Sequence, residues 1–420
     1  MRRWAALGQR LDRHRVTIIS SGTVYLATLS VIPVLMTPYR HDDTINRYTP
    51  WVLTASGQPL FGSLLNEFHG QVTAWMTNQG RFFPGSVAWS LSVFTVFRTR
   101  ETYKGLLAFL VVVMIVLVAW LVARLIRRSS TAAVVVVALC ATLTLRAWAD
   151  GLDSFAGLLP LTVSMAFGST LLLLRGRSWP SVVLAITLWS VALVTYEVGI
   201  LLTPTLCLAL WLAGRRFGRS LALLWPTLAD GLFVFYLRSH ATSEAPAYQS
   251  NFELARVVPT YLKQSAAALP LSQGWLPGSI APSISRGLIV MALVLVAVPA
   301  ALLLTAVLRS RPDPSWRSIG IVALIGATCW LAPAALIAIT VRWQDGMPDG
   351  QGYLSVVWGY VGVALLLVVG WLALVKRFAG RPGAGGRAAL VSATIILSVL
   401  AALTAAESFS IAGALSFPIT

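Results

Sequence analysis

Apolar residues along this chain form long, nearly unbroken runs that alternate with shorter polar segments. A helix needs about 20 apolar residues to cross the hydrocarbon core of a bilayer. Lipid offers no hydrogen bonds to the backbone, so such a run must be helical. The pattern predicts an all-α, polytopic transmembrane bundle of about eleven spans. The predicted spans are residues 17–36, 105–125, 132–148, 155–174, 180–196, 198–214, 220–238, 287–308, 318–340, 354–375 and 388–406.

The connections between the predicted spans contain no segment suited to a separate soluble domain. Residues 1–420 are therefore expected to form one transmembrane domain. Two connections are long, residues 37–104 and 239–286, and the alternation of spans places both on the same side of the membrane.

The first long connection has a helical pattern of its own. Apolar residues recur there at a spacing of three or four, which predicts an amphipathic helix on the membrane surface over residues 60–75. Residues 87–97 form a second apolar piece, and residues 252–262 repeat the pattern more weakly. Such helices either frame a cavity at the membrane boundary or simply shield the bundle.

Composition agrees with this class, because 57% hydrophobic and 11% charged residues do not suit a soluble globular chain. The net charge of +17 first suggests a nucleic-acid partner. The basic residues, however, fall in alternate connections, as cytoplasmic loops do in membrane proteins. We therefore expect a cytoplasmic N-terminus and no nucleic-acid binding.

Two adjacent carboxylates, Asp42 and Asp43, follow the first predicted span within the segment His41–Arg47. Repulsion between neighbouring carboxylates can raise the pKa of one of them, which then serves as a general base. Oxygen ligands of this kind also suit a divalent cation such as Mg or Mn. The alternative is a solvated helix start, with Arg47 one turn after Asp43 and paired with it.

Further charged residues lie near the same predicted membrane boundary. Arg81 stands between a glycine and two aromatic residues and suits a lipid phosphate. Glu197 interrupts a 33-residue apolar run from Ser181 to Ala213, so it lies at a tight turn or within the membrane. Asp230 falls inside the seventh predicted span, as a structural partner or a functional group. The remaining candidates to bind substrate are Arg146, Asp150, Asp153 and Arg342.

These features together resemble the GT-C superfamily of membrane glycosyltransferases. The likeness to its bacterial GtrII-type members is carried by Asp42-Asp43, Gly57-Gln58-Pro59-Leu60, Gly80-Arg81-Phe82 and Tyr196-Glu197. The resemblance implies a sugar donor carried on polyprenyl phosphate and transfer outside the cytoplasm. It assigns Asp42 or Asp43 to activation of the acceptor. Gln58 departs from the arginine of that family, which places any arginine-dependent role there in doubt.

The leading hypothesis is a glycosyltransferase of the bacterial inner membrane, with its active site facing outside. Its expected partners are the polyprenyl-phosphate sugar, a glycan, lipid or protein acceptor, and membrane lipids. His41, Arg47, Arg81, Arg146, Asp150, Asp153, Glu197 and Arg342 are the predicted substrate-binding residues. A transporter or flippase of a lipid-linked saccharide is one alternative. A non-catalytic membrane scaffold is the other.

Overall fold

A computed structural model describes residues 15–55, 57, 59–148, 150–176, 178–240, 249–275, 283–310, 312–378 and 384–416. Within this part of the chain all regular structure is helical, which confirms the all-α prediction. The first helices are α1 Arg15–Met36, α2 Asp43–Asn46, α3 Thr49–Ala55, α4 Leu60–Gln79, α5 Pro84–Val96, α6 Arg100–Ile126, α7 Thr131–Cys140, α8 Leu158–Arg175, α9 Trp179–Thr195 and α10 Gly199–Leu212. The remaining ones are α11 Phe217–Ser220, α12 Leu224–His240, α13 Leu254–Ala267, α14 Ser272–Trp275, α15 Arg286–Arg309, α16 Trp316–Ala338, α17 Val341–Gly346, α18 Val356–Phe378 and α19 Ala384–Ser416.

Seven of the described helices are long and apolar enough to cross a membrane. They are α1, α6, α8, α15, α16, α18 and α19, and each coincides with a predicted span. Shorter apolar helices α7, α9 and α10 occupy three further predicted spans. The helix predicted over residues 60–75 is present as α4, and the apolar piece at residues 87–97 is present as α5.

The centre of the molecule is formed by α6, α7, α8, α16 and α18, whose side chains are mostly buried. Large apolar side chains such as Phe109, Trp225 and Trp316 are instead exposed on the outside of the bundle. Water would not favour that arrangement, but lipid tails would.

The predicted helix over residues 132–148 is wrong in its second half, because α7 ends at Cys140. Residues 141–146 continue without helical structure through the buried core. Side chains of α19 satisfy backbone groups there: Thr404 donates to the Ala141 carbonyl at 3.0 Å, and the Ser408 hydroxyl accepts from the Leu145 amide at 3.2 Å. Irregular backbone is tolerated at membrane depth only when protein covers it in this way.

The helices give the molecule two distinct ends. α6 is 27 residues long, which corresponds to about 40 Å. Its first turns hold Tyr103 and Lys104, and its last turn holds Arg124. We call the end at the start of α6 the carboxylate end, because Asp43 lies against Tyr103 there. We call the end at the last turn of α6 the basic end, because arginines gather there.

Candidate functional site

The segment that follows α1 turns sharply at His41 and sends two neighbouring carboxylates in different directions. His41 has a φ of +49°, which is uncommon for any residue except glycine. The next residue, Asp42, is exposed, whereas Asp43 is fully buried at the start of α2. Of the two carboxylates, Asp42 is therefore the one that is accessible from outside the protein.

Asp43 is held from two sides. The Tyr103 hydroxyl donates to its Oδ2 at 2.5 Å, and the Ala156 amide donates to its Oδ1 at 3.3 Å. Burial raises the pKa of Asp43 from 3.8 to about 7, and the hydrogen bond from Tyr103 opposes that rise. The predicted cause, repulsion by Asp42, is wrong, since burial is the main one.

The backbone that binds Asp43 is itself strained. Phe155 and Ala156 both have positive φ, at 55° and 51°. The Phe155 ring stacks on the His41 ring with centroids 5.7 Å apart, and the Trp89 indole donates to the Ala156 carbonyl at 2.7 Å. Two strained turns therefore face each other across Asp43. Strain of this kind is retained where surrounding contacts enforce it, and it is frequent at functional sites.

The structure corrects two predictions about the first carboxylates. Arg47 does not pair with the Asp43 side chain; its guanidinium contacts Tyr48 and lies 5.3 Å from the centre of the Tyr39 ring. Asp42 and Asp43 also do not present their oxygens to one cation, because both oxygens of Asp43 are bound inside the protein. Within the described part of the chain, no three histidine, cysteine or acidic residues lie together as a metal site.

A buried ionic network lies beneath the turn. Arg40 forms an ion pair with Asp153 at 3.1 Å and donates to the carbonyls of Ala147 and Trp148, each at 2.8 Å. Lys104 donates to the Asp153 carbonyl at 2.5 Å. Sequence reasoning missed Arg40 and Lys104. Their signal was position, since each is a cation within a few residues of a predicted span.

His41 joins this network through its ring. Its Nε2 lies 3.0 Å from the Trp148 carbonyl, and burial lowers the pKa of the imidazole, with a further contribution from Arg40. His41 is therefore neutral at physiological pH and donates a hydrogen bond to that carbonyl.

Arg146, predicted to bind substrate, lies at the centre of the protein with no exposed surface. Its guanidinium donates to Tyr360 and Ser272 at 2.5 and 2.9 Å and to the carbonyls of Ala267 and Gly350. These contacts join four separate segments, and they do not offer the guanidinium to a ligand.

Asp150 and Asp153 are not on one helical face with Arg146, because the helix has already ended. Asp150 accepts from the Arg146 and Leu152 amides, the latter at 2.6 Å, while Asp153 binds Arg40. Burial raises the pKa of Asp150. Both carboxylates shape the loop that lies under the turn.

A second group of polar residues surrounds Glu197. This residue lies in the tight turn between α9 and α10, which is the first of its two predicted positions. Arg81 binds one of its oxygens through two nitrogens, at 2.7 and 2.8 Å. The guanidinium of Arg238 lies 3.7 Å from the other oxygen. Glu197 is buried, while the Arg238 side chain keeps 40% of its surface exposed. One carboxylate therefore holds two cations at the carboxylate end.

Aromatic residues join this group to the first turn. Arg81, Glu197 and Arg238 line a narrow cleft together with Trp343 and Tyr353. The Trp343 ring stacks on Tyr353 with centroids 3.7 Å apart and packs edge-on against Trp148 at 6.0 Å.

Two predicted site residues are linked to the cleft through those rings. The Trp148 carbonyl is the group that His41 and Arg40 bind. Arg342 is exposed on α17, with its guanidinium 5.0 Å from the Trp343 ring. Segments that are hundreds of residues apart in sequence therefore meet around one aromatic bridge.

Comparisons with family models, with curated proteins and with solved structures give no match for this chain.

Proposed function

We propose that this protein is an integral membrane glycosyltransferase that uses a polyprenyl-phosphate sugar as donor. The observation that carries the proposal is the pairing of an exposed carboxylate, Asp42, with a cleft that contains Arg81 and Arg238, at the same end of the molecule. A transfer reaction needs a base for the acceptor and cations for the leaving phosphate. The GT-C resemblance supports the same reaction.

In the proposed reaction Asp42 removes the proton from an acceptor hydroxyl, and that oxygen attacks the anomeric carbon of the donor sugar. The bond from this carbon to the phosphate oxygen breaks, and polyprenyl phosphate leaves. Arg238 and Arg81 stabilise the negative charge that forms on the phosphate. Asp43 acts as a positioning residue, because its bonds to Tyr103 and Ala156 fix the turn that carries Asp42.

The proposal includes a bacterial inner-membrane location and eleven crossings, with the N-terminus in the cytoplasm. α7, α9, α10 and α12 would join the seven long helices as crossings. The arginines at the basic end support this orientation, since positive residues favour the cytoplasmic side. The carboxylate end then faces outside, where polyprenyl-phosphate sugars are the available donors.

The direct test is transfer by the purified full-length protein, with radiolabelled polyprenyl-phosphate hexoses as donors and envelope fractions of the source cells as acceptor. We expect Asp42→Asn to lower transfer by about 100-fold or more, as for loss of a general base. Asp345→Asn is the matched control, because Asp345 is an exposed carboxylate at the same end. Wild-type transfer by Asp42→Asn would reject the assigned role.

A transporter of the same lipid-linked saccharide is the rival function, and one observation favours it. Asp230 on α12 is 9% exposed, and its Oδ2 has no hydrogen-bond partner among the residues that the structure describes. A carboxylate in that state is costly within a membrane and is typical of transport pathways. Flux of the labelled saccharide into protein-containing vesicles, with no new glycosidic product, would support this rival.

A further inference from the structure

A large cavity lies at the basic end, far from the carboxylate end. Its volume is about 770 Å³. Among the residues that the structure describes, six arginines and one aspartate line it. The arginines are Arg124, Arg127, Arg128, Arg175, Arg215 and Arg317.

Four separate connections supply these side chains. Arg124, Arg127 and Arg128 end α6 or follow it, and Arg175 ends α8. Arg215 follows α10, and Arg317 lies in the first turn of α16. Membrane topology requires only that basic residues lie in these connections. It does not require them to converge on one cavity, so the convergence itself needs an explanation.

Asp313 is the only acidic residue among the described lining residues, and its charge is already compensated. Lys376 binds its carboxylate directly and lowers its pKa, with a further contribution from Arg128. The cavity therefore presents a strong excess of positive charge. Guanidinium groups bind phosphate oxygens in a bidentate manner, so the chemistry of the lining selects phosphate.

An apolar groove adjoins the cavity and indicates what carries the phosphate. The groove has a volume of about 440 Å³ and lies between α6, α8 and α9. Arg175 lines both spaces, with its guanidinium 5.4 Å from the centre of the Trp120 ring. Apart from Arg175 and one serine, Ser164, the described residues that line it are apolar, among them Leu117, Met165 and Leu188. A basic pocket that continues into an apolar groove fits an amphipathic ligand.

We propose that this cavity binds the phosphate headgroup of an anionic membrane lipid, with one acyl chain in the adjoining groove. A headgroup with two phosphates suits six arginines best. Basic pockets between membrane helices on the cytoplasmic side are known to bind such headgroups. This site is independent of the proposed glycosyltransfer, because it shares no residue with the cleft at the carboxylate end.

The test measures thermal stabilisation of the full-length protein in detergent by cardiolipin, by phosphatidylglycerol and by inorganic pyrophosphate. A ligand that binds only the folded state raises the unfolding midpoint, and at a fixed ligand concentration the rise grows with the logarithm of the affinity. We expect cardiolipin to bind the wild type most tightly. In the variant Arg127→Gln/Arg317→Gln its affinity should fall by about tenfold or more, which corresponds to about 1.4 kcal/mol.

The matched control is Arg377→Gln/Arg387→Gln, which removes the same charge outside the cavity lining. Its cardiolipin affinity should equal that of the wild type. If Arg127→Gln/Arg317→Gln bound cardiolipin as tightly as Arg377→Gln/Arg387→Gln does, the proposal would be overturned. The arginines would then be determinants of topology only. Pyrophosphate binding that depends on Arg127 and Arg317, without cardiolipin binding, would retain a phosphate site but overturn its assignment to lipid.

A second variant separates loss of binding from misfolding, or from insertion in the opposite orientation, of Arg127→Gln/Arg317→Gln. Arg127→Lys/Arg317→Lys keeps the positive charge and the topology signal but loses bidentate geometry. We expect its cardiolipin affinity to fall several-fold. Wild-type affinity in this lysine pair, together with failure of pyrophosphate to compete with cardiolipin on the wild-type protein, would also overturn the proposal.

Discussion

Asp43 is a carboxylic acid sealed inside the protein, and its protonation depends on pH within an ordinary working range. Its pKa is about 7 in the folded state against 3.8 for an unperturbed aspartate. Between these values the folded state holds a proton that the unfolded state releases. The stability contributed by protonated Asp43 is therefore complete below pH 3.8 and is lost as the pH rises through about 7.

As the pH rises from 5 to 8, we expect the unfolding temperature of the wild type to fall by about 3 °C relative to that of Asp43→Asn. Asparagine cannot ionise, so that variant lacks this part of the pH dependence. The measurement is thermal unfolding in detergent across that range. Asp345→Asn, which changes an exposed carboxylate, should follow the wild type. Parallel curves for the wild type and Asp43→Asn would contradict the prediction.

The sequence identified polar residues of the candidate site better than it predicted the partners of those residues. Asp42, Asp43, Arg81 and Glu197 were recognisable because only 11% of the residues in this chain are charged. Nothing local shows that Asp43 faces inward, because that follows from the left-handed turn at His41. The pair between Arg81 and Glu197 spans 116 residues, and spacing alone cannot reveal it.

At the scale of elements, α16 and α18 approach each other closely at Gly362. A Cβ on Gly362 would lie 2.4 Å from the Trp330 amide nitrogen and 2.6 Å from the Gly326 carbonyl oxygen. Small residues allow membrane helices to pack backbone to backbone in this way. The same contact positions the start of α18, which carries Tyr360, a partner of Arg146.

We expect Gly362→Ala to destabilise the protein by about 1–3 kcal/mol, because the added methyl group has no space. Gly370→Ala on the same helix is the control, since a Cβ there meets nothing within 4 Å. Thermal unfolding in detergent compares the two variants. A Gly362→Ala protein as stable as Gly370→Ala would show that the helices separate at little cost.

Element prediction succeeded where hydropathy alone decides, as in α6 and α18. It failed over residues 141–148, where the apolar pattern continues but the helix does not. The cause is tertiary, because Thr404 and Ser408 of a distant helix replace the missing helical hydrogen bonds. A single run of apolar residues contains no sign of that replacement.

At the scale of the whole molecule, orientation is the property that the helix ends predict most directly. We expect a membrane-impermeant maleimide to label Asn78→Cys in intact bacterial cells, and Ser129→Cys only after permeabilisation. Both positions are exposed, Asn78 at the carboxylate end and Ser129 at the basic end. The native cysteines Cys140, Cys207 and Cys329 are buried, so background labelling should be low. The opposite pattern would reverse the proposed topology.

The enclosed guanidinium of Arg146 constrains the order in which the chain can be assembled. Its partners include the Ala267 carbonyl, the Gly350 carbonyl and the Tyr360 hydroxyl, the last of them 214 residues further along the chain. During synthesis Arg146 therefore reaches the membrane long before these groups exist. Until they arrive, water or the insertion machinery must solvate its charge. The loop that contains Arg146 can therefore form its final contacts only late, once α18 has been inserted into the membrane.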